Sequence, residues 1–223
     1  MDQSLKIVFE VEEEQLVTAD KKINRTTMDH IAMILTHFMN SQKQVIIVSS
    51  GAIAAGVEKL DLTQYPQTLF EKQAVAAIGQ VELIRRYQNI FDMYNQMIGQ
   101  VLIDRSILKN PKRQTNAKNT FEKLLKLNVI PIINENDVTS IDDIEEEDNY
   151  PLTAIVANIA KAHILIQLND DLTFNVIEQS KMQIKVIKDK NELFAYIDNY
   201  DLDISKEDRH LLFPMTMDDY TTI

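Results

Sequence analysis

Four short apolar runs constrain this chain more than anything else in it: Ile7-Val8-Phe9, Val45-Ile46-Ile47-Val48, Val129-Ile130-Pro131-Ile132-Ile133 and Ile164-Leu165-Ile166-Gln167-Leu168. None alternates with polar residues, as a strand with one wet face would. Such runs belong to a sheet covered by helices on both faces, which in practice is a mainly parallel one. The segments between them have helical spacing. From Asn24, a good N-cap, Met28, Ile31, Leu35 and Phe38 fall on one stripe. Asn116 to Leu127 carries Phe121, Leu124 and Leu125 in the same way, and Thr153 to Ala162 is a compact Ala-rich helix. The pattern predicts an α/β protein, a three-layer αβα sandwich with a mainly parallel central sheet.

The remaining elements follow with less definition. Leu5–Val11 reads as the first strand, Ala52 to Gly56 as the opening of a helix, and 69–98 as a helix interrupted near Gly79. Gln100–Ile103 reads as a strand. Beyond 171 the periodicity weakens, with Phe174–Ile177 and Met182–Ile187 as short strands, Lys190–Tyr200 as a helix and a mixed tail in the last twenty residues. No internal repeat or Pro/Gly-rich linker divides the chain. We therefore read 1–223 as a single domain, with 1–170 its core and 171–223 a divergent region.

Composition narrows the function. Lys and Arg number 23 against 34 Asp and Glu, a formal charge of -11, so nucleic acid and anionic membranes are poor partners. Arg85-Arg86 and Lys109-Asn110-Pro111-Lys112-Arg113 are the nearest approach to a basic patch and read as solvated surface. With no Cys there is no disulfide framework or thiolate metal site. The four His are scattered without metal-ligand spacing, so no metal site is expected, and the nine Met read as core filler. No apolar run is long enough for a membrane span or a signal peptide, so a cytoplasmic protein is expected. Glycine is scarce. Average usage of ~7% gives roughly 16 in a chain this long, but there are four: Gly51, Gly56, Gly79 and Gly99. Repeated wrapping of backbone around phosphate is disfavoured, because glycine is what permits close approach and positive φ.

Three polar clusters fall at the ends of predicted strands: Ser49-Ser50-Gly51, Asn134-Glu135-Asn136-Asp137 and Asp148-Asn149. The first opens a helix and is the best anion site in the chain. Together the clusters suit a small zwitterion, its carboxylate on the N–H groups at the helix start and its ammonium against Asp137. Taken singly, each also reads as an ordinary turn.

The order and wording of these clusters resemble the glutamate 5-kinase branch of the amino acid kinase family. The likeness runs through Val48-Ser49-Ser50-Gly51-Ala52-Ile53-Ala54-Ala55-Gly56, Lys72-Gln73-Ala74-Val75-Ala76-Ala77-Ile78-Gly79-Gln80, Asn116-Ala117-Lys118-Asn119-Thr120 and Ile130-Pro131-Ile132-Ile133-Asn134-Glu135-Asn136-Asp137. It covers roughly residues 45 to 170 well and fades after 171. The resemblance implies an αβα fold and transfer of the ATP γ-phosphoryl group to the γ-carboxylate of glutamate, the first step of proline synthesis. It implies that glutamate is bound at positions matching Ser50, Asp137 and Asn149, with Gly51 and Asn134 beside them. It places Asn169 and Asp170 on the nucleotide side.

The phosphate side departs from that pattern. Where the family has a lysine ending the first strand this chain has Glu10, and Glu12-Glu13-Glu14 lies over the Gly-Ser/Thr-Ser turn. Lys6 is no substitute, being roughly 13 Å away at ~3.3 Å per residue. Exchanging a cation for an anion at ~4 Å, with an effective dielectric constant of about 20, reverses about 8 kcal/mol of Coulomb energy before relaxation and screening. Tyr150 replaces the family's Asp after Asn149, Asn169 replaces its Thr, and the later Thr-Gly-Gly-Met segment has no counterpart in a chain without glycine after Gly99. Lys181 and Lys188 read as surface residues rather than replacements. The run Asp142-Asp143-Ile144-Glu145-Glu146-Glu147-Asp148 reads as a solvated loop over the amino-acid pocket.

Three readings of function stand open. The first is a catalytically silent relative that keeps an amino-acid pocket for glutamate, a related small amino acid or the regulator proline. It would act by binding or by associating with an active kinase homologue. The second is a working kinase with a remodelled Mg-ATP site. The third is a structural protein with a vestigial pocket. The family also implies a homo-oligomer.

Overall fold

The computed structural model describes residues 4–139, 151–181, 183–200, 213 and 221–222. The chain runs β1 (Lys6–Val11), α1 (Glu13–Leu16), α2 (Arg25–Asn40), β2 (Gln44–Ser49), α3 (Ala52–Lys59), α4 (Leu69–Met93), β3 (Met97–Ile103), a 3-10 helix (Arg105–Lys109), α5 (Pro111–Lys126), β4 (Val129–Glu135), α6 (Leu152–Ala160), β5 (Ile164–Leu168), β6 (Phe174–Glu178), β7 (Gln183–Ile187), α7 (Lys190–Asp198) and β8 (Thr221–Thr222). The strands form one sheet in the order β3-β4-β2-β1-β5-β6-β7-β8. From β3 across to β5 the neighbours are parallel, β6 and β7 are antiparallel additions, and β8 lies parallel to β7. The expected α/β architecture, with a mainly parallel sheet between helical layers, is the one found.

The pleat sorts each apolar run onto two faces, which is why the runs need not alternate. Ile7, Phe9, Val45, Ile47, Ile130, Ile132, Ile164 and Ile166 pack against α2, α4 and α7 through residues such as Met28, Leu35, Tyr87, Phe91 and Leu193. Val8, Ile46, Val48, Ile133 and Leu165 face the opposite layer, where Phe121 and Leu125 of α5 meet Ile155, Val156 and Ala160 of α6. Asn24 caps α2 as its sequence foretold, its side chain accepting from the N–H groups of Thr26 and Thr27.

Two expectations are corrected. α4 runs unbroken through Gly79, because that glycine is a contact between helices rather than a breaker. A Cβ there would fall on the carbonyl oxygen of Ala52 in α3, and one at Gly56 on that of Val75 in α4. Not all the methionines fill core either: Met28 and Met39 are buried, while Met93 and Met97 lie exposed. The α3–α4 contact is closed by ion pairs. Buried Glu82 receives Arg85 and Arg86, and Arg86 also donates to Glu58, whose other contact is the N–H of Ile23. Hydrogen bonds from Arg85, then Arg86, hold the Glu82 carboxyl down at about 2 despite its burial. Arg85-Arg86 is thus a paired structural cluster.

Gly79→Ala is therefore expected to lower the melting temperature by roughly 2–12 °C, since overpacking costs about 1–3 kcal/mol and each kcal/mol is worth ~2–4 °C at this size. Gly99→Ala meets the side chains of Leu124 at 3.3 Å and Val129 at 3.4 Å and should shift it less. Parallel thermal denaturation of both variants is the check.

Candidate functional site

The parallel strands end at one edge, and the polar residues singled out in the sequence gather there, where open α/β sheets place ligands. At the end of β1 the register sets Glu10 beside Val48 of β2 and Gln167 of β5. Glu10 is only 7% exposed. Its carboxyl accepts from the hydroxyl of Thr153, in the first turn of α6, and from Gln167 Nε2 at 2.6 Å. Burial raises its pKa, Thr153 and Gln167 oppose the rise, and Glu12 adds to it. The carboxyl thus joins β1, β5 and α6, with the positive end of the α6 dipole nearby.

The acidic stretch after it is more ordered than a solvated turn. It forms α1, with Gln15 Oε1 accepting from the N–H of Glu12 and Gln15 Nε2 donating to Asp170 at 2.6 Å. Ser50 Oγ donates to Glu12 Oε2 at 2.5 Å. The Glu13 carboxyl accepts from Tyr65 at 3.1 Å, and the backbone N–H of Ala54, in the first turn of α3, opposes the rise that burial causes in its pKa. Gly51, the N-cap of α3, is left-handed at φ 100°, which favours glycine there. At the expected Ser49-Ser50-Gly51 cluster the Ser50 hydroxyl is thus engaged by the chain's own Glu12.

Across the edge, Asp137 follows β4 and lines a cleft of about 310 Å³ together with Gln80, Val81, Ile84, Leu102 and Glu135. Burial pushes its carboxyl up to about 6, and the charges of Glu135 and Glu13 add to that. Asn134 is buried and structural in its contacts: its amide donates to Gln80 at 2.9 Å and its oxygen accepts from the N–H of Glu135. Arg105 pairs with Glu135 at 3.3 Å. On the other side Asn169 is part of the β5–β6 turn, donating to Thr173 Oγ1 at 2.9 Å and to Asn175, and Asp170 holds Gln15. Lys181 pairs with Glu178, and Lys6 reaches the carbonyl of Ala160 at 2.7 Å.

Ser50, Gly51 and Asp137 thus share one edge, linked by the field of Glu13. Asn149, Tyr150 and the acidic run 142–148 lie outside the described residues. Sequence reasoning missed Tyr65, Gln15, Thr153 and Gln167. Of these only Gln167 left a mark, as the one polar residue inside an apolar strand run. Among the described residues no group of three or more His, Asp and Glu is placed to hold a metal ion, and no helix is long and apolar enough to cross a membrane.

The sequence profile of the amino acid kinase family matches residues 14–171. The chain belongs to the amino acid kinase family. Within it, relatives place the chain in the glutamate 5-kinase branch. It is 41% identical over 174 residues to the glutamate 5-kinase of Enterococcus faecalis, covering 76% of this chain and 64% of that one. It is 43% identical over 169 residues to that of Lactiplantibacillus plantarum, covering 74% and 64%. The match to the glutamate 5-kinase of Streptococcus equi subsp. zooepidemicus is 35% over 199 residues, covering 85% and 73%. The chain thus spans a little under two thirds of the length of the first two. A solved carbamate kinase from Giardia superposes with a TM-score of 0.49 at 14% identity, covering 77% of this chain and 75% of its own.

The raised carboxyls have a consequence for stability. Glu10, Glu13 and Asp137 all hold protons more tightly folded than unfolded. For an acid whose pKa is raised by folding, stability is lost as pH climbs from the unfolded value through the folded one. The melting temperature should therefore rise when pH falls from about 7 to about 5, and Asp137→Asn should flatten that rise. A melting temperature that falls steadily over this interval contradicts the assignment.

Proposed function

We propose that this member of the glutamate 5-kinase branch binds an amino acid at the strand-end edge without transferring phosphate from ATP, and acts through that binding. The observation that carries the reading is the engagement of Glu10 by Thr153 and Gln167. Whether it holds its proton or not, a carboxyl fixed there supplies no cation where the family resemblance implies one. Glu12, Glu13 and Glu14 follow directly. Catalysis of phosphoryl transfer rests on positioning and on neutralising phosphate oxygens with cations and N–H groups. Acidic residues on this scale do not fit a polyphosphate.

The acceptor side supports the binding half. Asp137, in its cleft, is suited to an ammonium group by a charge-assisted hydrogen bond. An incoming ammonium favours the ionised carboxylate, so binding should release a proton where Asp137 is protonated. Amino-acid affinity is accordingly expected to weaken as pH drops through about 6, and calorimetry across that range measures it. Asp137→Ala should abolish binding.

A second reading, retained phosphoryl transfer, is favoured by the 41% and 43% identities to glutamate 5-kinases. The two separate in one assay. With glutamate and Mg-ATP the wild-type chain should form no γ-glutamyl phosphate, and Glu10→Lys should form none either, because Glu12, Glu13, Glu14 and Tyr150 remain. Product formation by the wild-type chain establishes the second reading and removes the first.

A further inference from the structure

The cleft that holds Asp137 runs between α4 and the edge strand β3. α4 ends at Met93 and β3 begins at Met97, so the two lie side by side in opposite directions. The register of β3 on β4 then orders the cleft by depth. Leu102 stands beside Asn134, near the strand-end edge, and Gln100 beside Ile132, further down. On α4, Ala76 and Ala77 line the mouth and Ile84 the far end. At a rise of about 1.5 Å per residue, Ala76 and Ile84 are ~12 Å apart.

The walls are apolar and wet. Val81 and Ile84 of α4, Leu102 of β3 and Val138 line the cleft, and Val81, Leu102 and Val138 are 68%, 41% and 52% exposed. Such surface gains from being covered by another apolar group. The charged groups lining the cleft are Asp137 and Glu135, and among the described residues that line it there is no lysine, arginine or histidine. Arg105 is committed to Glu135 at 3.3 Å. Neutral amides complete the lining. Asn134 donates to Gln80 Oε1 at 2.9 Å, so Gln80 keeps its NH2 group for another acceptor, and Gln100 stands on β3.

We propose that this cleft takes a primary amino acid with an extended, uncharged aliphatic side chain in preference to one whose side chain ends in a carboxylate. This rests on the reading of the edge as an amino-acid site and names the side-chain class that the site selects. The ammonium docks on Asp137, the α-carboxylate accepts from the Gln80 amide, and the side chain runs down the cleft along Val81, Leu102 and Ile84. Amide donors serve one carboxylate. A second, at the end of a glutamate side chain, finds no cation, lies among apolar carbons and adds to the negative charge of Glu135.

The test is calorimetric titration of the whole chain at about pH 7.5, where Asp137 is ionised, with alanine, α-aminobutyrate, norvaline and norleucine, and with glutamate. Each added methylene is expected to tighten binding roughly fourfold. Norvaline should bind at least about tenfold more tightly than glutamate. Val81→Lys changes an exposed position and brings a cation to the cleft, so it should strengthen glutamate, weaken norvaline and narrow the gap several-fold. Leu102→Lys serves as a second variant should the first fail to fold, and should shift the preference in the same direction. Glutamate binding as tightly as norvaline, or a methylene series of constant affinity, overturns the inference while leaving the amino-acid site standing. An unchanged preference in a folded Val81→Lys or Leu102→Lys overturns it too. Binding of none of these amino acids removes the site reading, and the inference with it.

Discussion

The grip of Thr153 and Gln167 on the Glu10 carboxyl decides what the middle of this sheet can do. β1 lies between β2 and β5, so whatever side chain ends it stands at the centre of the functional edge. A buried carboxyl is tolerated only with its lone pairs engaged. Thr153 and Gln167 meet that need and in doing so tie β1 to α6 and β5. The same arrangement places a carboxyl, and not a cation, at the end of β1.

The acidic turn extends the logic. Glu12 accepts from Ser50 and Glu13 is felt by the Ala54 N–H, so the chain's own negative charge stands at the start of α3. Glu13 is felt in turn at Asp137 across the edge. Negative charge is thereby distributed around the whole site, and the raised carboxyls of Glu10, Glu13 and Asp137 are the electrostatic record of that crowding.

Much of the fold was legible in the sequence because the apolar runs are unambiguous: β5 begins and ends where its run does, and α2 starts at the Asn24 cap. The placement of Ser50 and Asp137 at the strand-end edge was legible too, since both follow buried strands. What was hidden depends on contacts distant in sequence. Three consecutive glutamates give no sign of a helix, and one as short as α1 has no periodicity to betray it. The partners of Glu13, Tyr65 and Ala54, lie about forty to fifty residues away. Gly79 misled because low helix propensity looks the same whether a helix breaks or another backbone presses against it.

Carboxylates of the chain itself stand at the end of β1 and the start of α3. A crystal structure of the chain soaked with magnesium and a non-hydrolysable ATP analogue tests it most directly. Glu10 is expected on Thr153 and Gln167, Glu12 on Ser50 and Glu13 on Tyr65, with no triphosphate beside them. A triphosphate seated along residues 10–14 and bridged to their carboxylates by metal would contradict it.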